Sequence, residues 1–197
     1  MSRSALMTLL ATASDTEIVR QLLGSTPWIF RGDTTAFATW RSDAAKAAGC
    51  SADGVFVVGS SVFGYSLSPY KPGRPFREHN ASSGDVSDID MAIVSERLFA
   101  EAWDAVRGFD RHRALASTRE GRAKIRTDVY WGYVSGITLP SGCAPAVVVR
   151  GALARTTSQV PFRGHPAKAR IYRRKNDLSD YHVESVRALR KSLEGTR

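Results

Sequence analysis

Asp88 and Asp90 stand one residue apart in Ser87-Asp88-Ile89-Asp90-Met91-Ala92-Ile93-Val94. In a strand, alternate side chains share a face, so both carboxylates point the same way while Ile89, Met91, Ile93 and Val94 supply apolar contacts. Two acids held together in a partly buried place repel each other, and a divalent cation relieves that repulsion most readily. Hard oxygen ligands on one face suit Mg²⁺ bound jointly to substrate phosphates. Upstream, the apolar run Val55-Phe56-Val57-Val58 closes on Gly59-Ser60-Ser61. Where such a turn opens a helix, its backbone amides are unpaired donors beside a partial positive charge, glycine lets a phosphate come close, and serine adds a hydroxyl. The bland alternative has Asp88 and Asp90 rimming a strand end. That leaves the glycine-serine turn unexplained, and aspartate is disfavoured in strands.

Residues 55–58 read as a buried strand and residues 88–94 as a second. Ser14-Asp15-Thr16-Glu17 has capping-box spacing, and Ile18, Leu22 and Leu23 recur on one face of a helix that ends near residue 23. Residues 34–48 form a second helix with Gly49 as its stop, and residues 96–106 an amphipathic one. Residues 66–86 turn to Pro, Gly, Ser, Asn and charge, the composition of a long functional loop without regular structure. Residues 154–160 and 167–174 suggest a strand pair joined at Gly164-His165-Pro166. The chain then closes in a helix over 178–193 with Tyr181, Val186, Leu189 and Leu193 inward. No internal repeat or linker divides the chain, so a single α/β domain is expected. It would hold a small mixed sheet, helices on one side and an added C-terminal helix, with a core over 50–135 and an extension over 150–197.

At 197 residues and 43% apolar content, wholesale disorder is excluded. A net charge of +9 and a pI near 10.0 give a surface that attracts polyanions, nucleotide or nucleic acid before membrane. No stretch approaches the roughly 20 apolar residues of a spanning helix. The opening residues 1–11 have a short apolar region like that of a secretion signal, but Thr8 interrupts it and a helix is a sufficient reading. Cys50 and Cys143 lack the spacing and the histidine companions of a zinc site, which leaves reduced thiols and a cytoplasmic setting. His79, His112, His165 and His182 have no nucleophile at a recognisable spacing, and His182 and Tyr181 read as packing residues.

The order strand, Gly59-Ser60, short helix, then Asp88-Ile89-Asp90 on a following strand resembles the polymerase-β-type nucleotidyltransferase superfamily. The resemblance rests on residues 55–94, with Gly64 as the second glycine of the helix opening. It implies that Gly59, Ser60 and Ser61 cradle the phosphates of a nucleoside triphosphate while Asp88 and Asp90 hold Mg²⁺ or Mn²⁺. The activity it implies is transfer of a nucleoside monophosphate to a hydroxyl. Two cations about 3.5–4 Å apart would stabilise the entering and leaving oxygens. In the superfamily the acids follow the turn closely, whereas here residues 65–86 lengthen the gap. Lys71 and Arg74, with Arg77 and His79, would contact phosphates from that segment, or form a solvated charged loop.

A third carboxylate on a neighbouring strand completes the superfamily's metal site, and Asp128 is the candidate. Alternation puts Arg126, Asp128 and Tyr130 on one strand face. Ile125, Val129 and Gly132 equally fit a helical stripe, which leaves Asp128 as surface charge. If residues 169–174 form the adjacent strand, the third acid is missing, with Arg or Tyr in its place. The acceptor implied is RNA such as tRNA, or a protein hydroxyl; an aminoglycoside-like molecule suits a basic surface poorly. The cluster Arg107, Arg111, Arg113, Arg119, Arg122, Lys124, Arg126 and the run Lys168, Arg170, Arg173, Arg174, Lys175 suit an RNA backbone, with Tyr130, Trp131 and Tyr172 for stacking. The same clusters also fit a solvated helix face or an acidic partner. The rival of another class is a catalytically weakened nucleotide- or RNA-binding module of a toxin-antitoxin or defence system.

Overall fold

The structure, a computed structural model, describes residues 1–79, 86–112 and 119–195. The side chains of residues 109–112 and 119–122 lie outside that description, so Arg111, Arg113, Arg119 and Arg122 of the expected basic cluster are not placed. The opening residues form α1 (Arg3–Thr12), capped by the Ser2 hydroxyl. In α2 (Asp15–Gly24) the Ser14 hydroxyl accepts from the Glu17 N–H, as the capping spacing predicts. In α3 (Thr34–Ala48) Asp33 caps the start, and Gly49 takes the left-handed conformation that ends it. Then come β1 (Val55–Val58), the four-residue helix α4 (Ser60–Phe63), β2 (Ile89–Val94) and α5 (Glu96–His112). The chain finishes with α6 (Arg119–Tyr130), β3 (Tyr133–Ser135), α7 (Ala144–Ser158), β4 (Ala167–Tyr172) and α8 (Lys175–Glu194).

The four strands make one mixed sheet in the order β1-β2-β4-β3, with β2 and β4 parallel and both outer pairs antiparallel. This is the expected α/β architecture. Register and alternation divide it into two unlike faces. Val55, Val57, Met91, Ile93, Ala169, Ile171 and Val134 point to one side and join the main core, together with Trp40 of α3, Leu98 of α5 and Val149 of α7. Phe56, Val58, Ala92, Tyr133 and Tyr172 point to the other and pack with Leu178 of α8. Burial of such side chains contributes about 1.5–3 kcal/mol each. On this second face, toward the start of β2, the row changes from apolar to charged: Asp90, Lys168 and Arg170. Helix α8 is fastened to α2 by Asp15, which faces Arg187 at 3.2 Å and Arg190 at 3.0 Å.

One strand prediction is overturned. Residues 154–158 are the last turns of α7, and residues 159–160 follow the helix rather than forming a strand, so no hairpin turn exists at 164–166. Pro145 sits in the first turn of α7, where its missing N–H is harmless, and the Thr156 and Thr157 hydroxyls donate to carbonyls four residues back. The segment's β-branched residues are therefore accommodated within a helix. The partners of β4 are β2 and β3 instead.

The segment after α4 has no helix or named strand up to residue 79, yet its main chain is well tied. The Ser66 N–H donates to Arg74 O at 2.8 Å, Gly73 N–H to Ser66 O at 3.0 Å, and Phe76 N–H to Gly64 O at 2.8 Å. Leu67 and Phe76 are buried beneath it. Among the described residues no helix is long and apolar enough to cross a membrane.

Candidate active-site cleft

The register of β1 on β2 pairs Val58 with Asp90, so the turn that leaves β1 is delivered against the second acid. Gly59 there has φ +77°, and a Cβ on it would lie 2.9 Å from Asp90 Oδ2. Glycine is thus required twice, by backbone conformation and by the carboxylate on its open side. The acids' own segment is braced from behind: Ile89 N–H donates to Pro166 O at 2.7 Å, and the His165 ring hydrogen-bonds Ser87 O at 2.9 Å. Asp88 precedes β2 by one residue and shares the parity of Asp90, which places both on the charged face.

The strand beside the acids is basic. Lys168 pairs with Asp90 in the register, and its Nζ contacts Asp88 Oδ2. Arg170 lies one pleat further along, with its guanidinium 5.6 Å from the Tyr133 ring centre and 5.4 Å from that of Tyr181. Among the described residues, no acceptor lies within hydrogen-bond or ion-pair range of that guanidinium. Burial pushes the Asp90 carboxyl above its ordinary range and Asp88 adds to this, while Arg170 and Lys168 pull it back down. Residues 167–172 are therefore the strand that flanks the acids, with Lys168 and Arg170 on their face.

Asp128 follows the helical alternative in its element but not in its exposure. It lies on helix α6, not on a strand, and it is 4% exposed, so it is not surface charge. Three residues apart on the helix, Ile125 and Asp128 turn inward together, while Val129 and Tyr130 face out. Asp128 opens on a small cavity of about 90 Å³ that also has Asp90, Lys124, Tyr133, Lys168 and Arg170 in its wall. Burial raises its carboxyl above the ordinary range, eased by the Tyr133 hydroxyl and the cations of Lys124 and Arg170. Its Oδ2 is buried without a partner. Among the described residues, no three His, Cys, Asp or Glu side chains converge closely enough to hold a metal ion, so Asp88, Asp90 and Asp128 do not form a ready three-acid centre.

A larger cleft of about 870 Å³ runs along the other side of Asp90 and Arg170. Gly59, Ser60, Lys71, Arg74, Asp88 and Asp90, six of the predicted site residues, line it together. Ser61 does not: it is fully buried, and its hydroxyl donates to Val58 O at 3.2 Å. The opposite wall comes from Trp131, at the turn between α6 and β3, and from Tyr181 and His182 of α8. His182 lies beneath this wall with its Nε2 unpartnered, and burial, aided by the Arg170 charge, lowers it to about 3, so it is neutral. Tyr172 is wholly buried and unavailable for stacking, whereas Tyr130 is 81% exposed.

Sequence reasoning reads Lys168 and Arg170 chiefly as part of a basic run suited to an RNA backbone, with an arginine beside the acids only as an alternative, and Tyr181 and His182 as packing residues. A signal for the first two existed in the alternation of 168, 170 and 172, but it becomes legible only once β4 is known to pair with β2. No family model matches the chain, and no curated protein and no solved structure matches it.

Proposed function

We propose that the cleft binds a nucleoside triphosphate and that the chain transfers its nucleoside monophosphate to a hydroxyl acceptor, as the resemblance to the polymerase-β-type nucleotidyltransferases implies. The observation that carries this reading is the contact between Gly59 and Asp90. The glycine-serine turn and the acid pair, separated by the 27 residues 61–87, meet at one wall of a cleft of a size suited to a nucleotide.

The donor set fits one ion and not two. Asp88 and Asp90 offer hard oxygens on one face, as suits a single Mg²⁺ or Mn²⁺ shared with phosphate oxygens. When bound, that ion would draw charge from the phosphates. Asp90, for which Gly59 leaves room, would hold that ion together with Asp88. Ser60 offers a hydroxyl and a backbone amide, and Lys71 and Arg74 reach the cleft from the loop, where their charge balances a departing pyrophosphate. Asp128, across Asp90 in the smaller cavity, takes no part as an ion ligand in this reading. The basic charge favours RNA as acceptor ahead of a protein hydroxyl. The two cysteines are free, in keeping with a reducing cytoplasm.

One observation favours a second reading, a nucleotide- or RNA-binding module without turnover: Lys168 holds Asp88, and basic side chains occupy the neighbouring strand. The test incubates the protein with ATP, CTP, GTP or UTP labelled at the α-phosphate, Mg²⁺ or Mn²⁺, and total tRNA or cell lysate. Label entering RNA or protein, and lost in the Asp88→Ala, Asp90→Ala double variant, supports transfer. Saturable binding without incorporation supports the module, and neither result refutes both.

A further inference from the structure

We propose that Lys168 and Arg170 take the place of a second metal ion, so that the protein grips a triphosphate through its own cations even when no divalent ion is present. This rests on the reading of the cleft as a nucleotide site. The ordinary way to neutralise a triphosphate beside several carboxylates is to place two ions among them. Here Asp128 stands on helix α6, in a smaller cavity that Asp90, Lys168 and Arg170 also line, and the strand beside the acids presents a lysine and an arginine on the acid face. Charge of the sign a second ion would bring is therefore already built into the sheet.

The state of Arg170 points the same way. Its guanidinium lies beside the edge-to-face pair of Tyr133 and Tyr181, lines both the cleft and the smaller cavity, and has no hydrogen-bonding acceptor among the described residues. None of its nitrogens is among the buried atoms left without a partner, so its donors are open to an incoming anion, and phosphate oxygens match its planar fork. Lys168 is half exposed and rests on Asp88, from which a phosphate oxygen can draw it away.

Calorimetric titration of the full chain with inorganic triphosphate and with ATP, first in EDTA and then in Mg²⁺, tests this. Binding in EDTA is expected for the wild type. Lys168→Gln and Arg170→Gln should each weaken it about tenfold or more, and Arg170→Lys should weaken it less. Arg155→Gln, an exposed charge on α7, controls for net charge and should change it less than about twofold. In Lys168→Gln, with Asp88 released, Mg²⁺ should restore ATP binding. Lys168 is surface-accessible, so its variant keeps the test open if Arg170→Gln fails to fold. Binding of ATP only in Mg²⁺ overturns the proposal while leaving the nucleotide site intact, as does binding in EDTA that both glutamine variants retain. No binding in either medium overturns the nucleotide site and the proposal together.

Discussion

Gly59 and Asp90 are fitted to each other: the glycine's missing methyl group would sit 2.9 Å from Asp90 Oδ2, at a backbone φ of +77°. Gly59→Ala therefore forces both a disfavoured conformation and a displaced carboxylate. The expected cost is about 1–3 kcal/mol, read by urea unfolding. In a double-mutant cycle with Asp90→Ala, part of that cost should disappear, because the oxygen that obstructs the methyl group is gone. Strict additivity would mean that the two residues do not touch.

Burial raises the Asp90 carboxyl, so Asp90 makes the fold more stable when protonated. An acid shifted upward contributes stability that is full below its unfolded value, near 3.8, and lost as pH rises through its folded value. Asp90→Asn should thus melt higher than the wild type at neutral pH, and the two curves should converge below about pH 4. Melting temperatures recorded across pH check this. A variant less stable than the wild type at pH 7 would show that the carboxylate is held by its cations more strongly than burial opposes it.

His182 has the opposite sign. Buried and lowered to about 3, it favours the folded state when neutral. Its contribution is complete above the ordinary value of 6.5 and is lost as pH falls toward the folded value. The stability difference between wild type and His182→Gln should slope by about 1.4 kcal/mol per pH unit in that window. Chemical denaturation at several pH values measures it; a flat difference would place the imidazole in contact with water.

Asp128 carries a buried oxygen with no partner, so its charge is a burden to the fold. Asp128→Asn should match or exceed the wild type in melting temperature at neutral pH and keep nucleotide affinity within about threefold. Asp90→Asn should lose that affinity. Equal losses in the two variants would make Asp128 a ligand of the same ion.

The sheet-forming strands around the acids were legible because a short apolar run bounded by a turn has few alternatives. Val55–Val58 and Ile89–Val94 follow the expected ranges. The Ser- and Pro-rich segment hid much of its order, since bonds that close it, such as Ser66 to Arg74, are main-chain ones, which side-chain identity does not announce. Residues 154–160 misled because β-branched threonines and a valine look strand-like in a short window, while the helix they end or follow begins ten residues earlier. Asp128 was illegible for a deeper reason. A helix normally turns its charge outward, and only the docking of α6 beside β3 buries this one. Likewise, Lys168 and Arg170 gained their place beside the acids from the parallel pairing of strands whose partners, such as Asp90 and Lys168, are 78 residues apart in sequence.

The most direct measurement is a calorimetric titration of the protein with each of the four nucleoside triphosphates in Mg²⁺, repeated with the Asp88→Ala, Asp90→Ala double variant. Saturable binding of at least one nucleotide at a single site, weakened about tenfold or more in the double variant, is the expected result. No uptake of any nucleotide by the wild type, or affinity that survives loss of both carboxylates, would contradict the cleft's assignment as a nucleotide site.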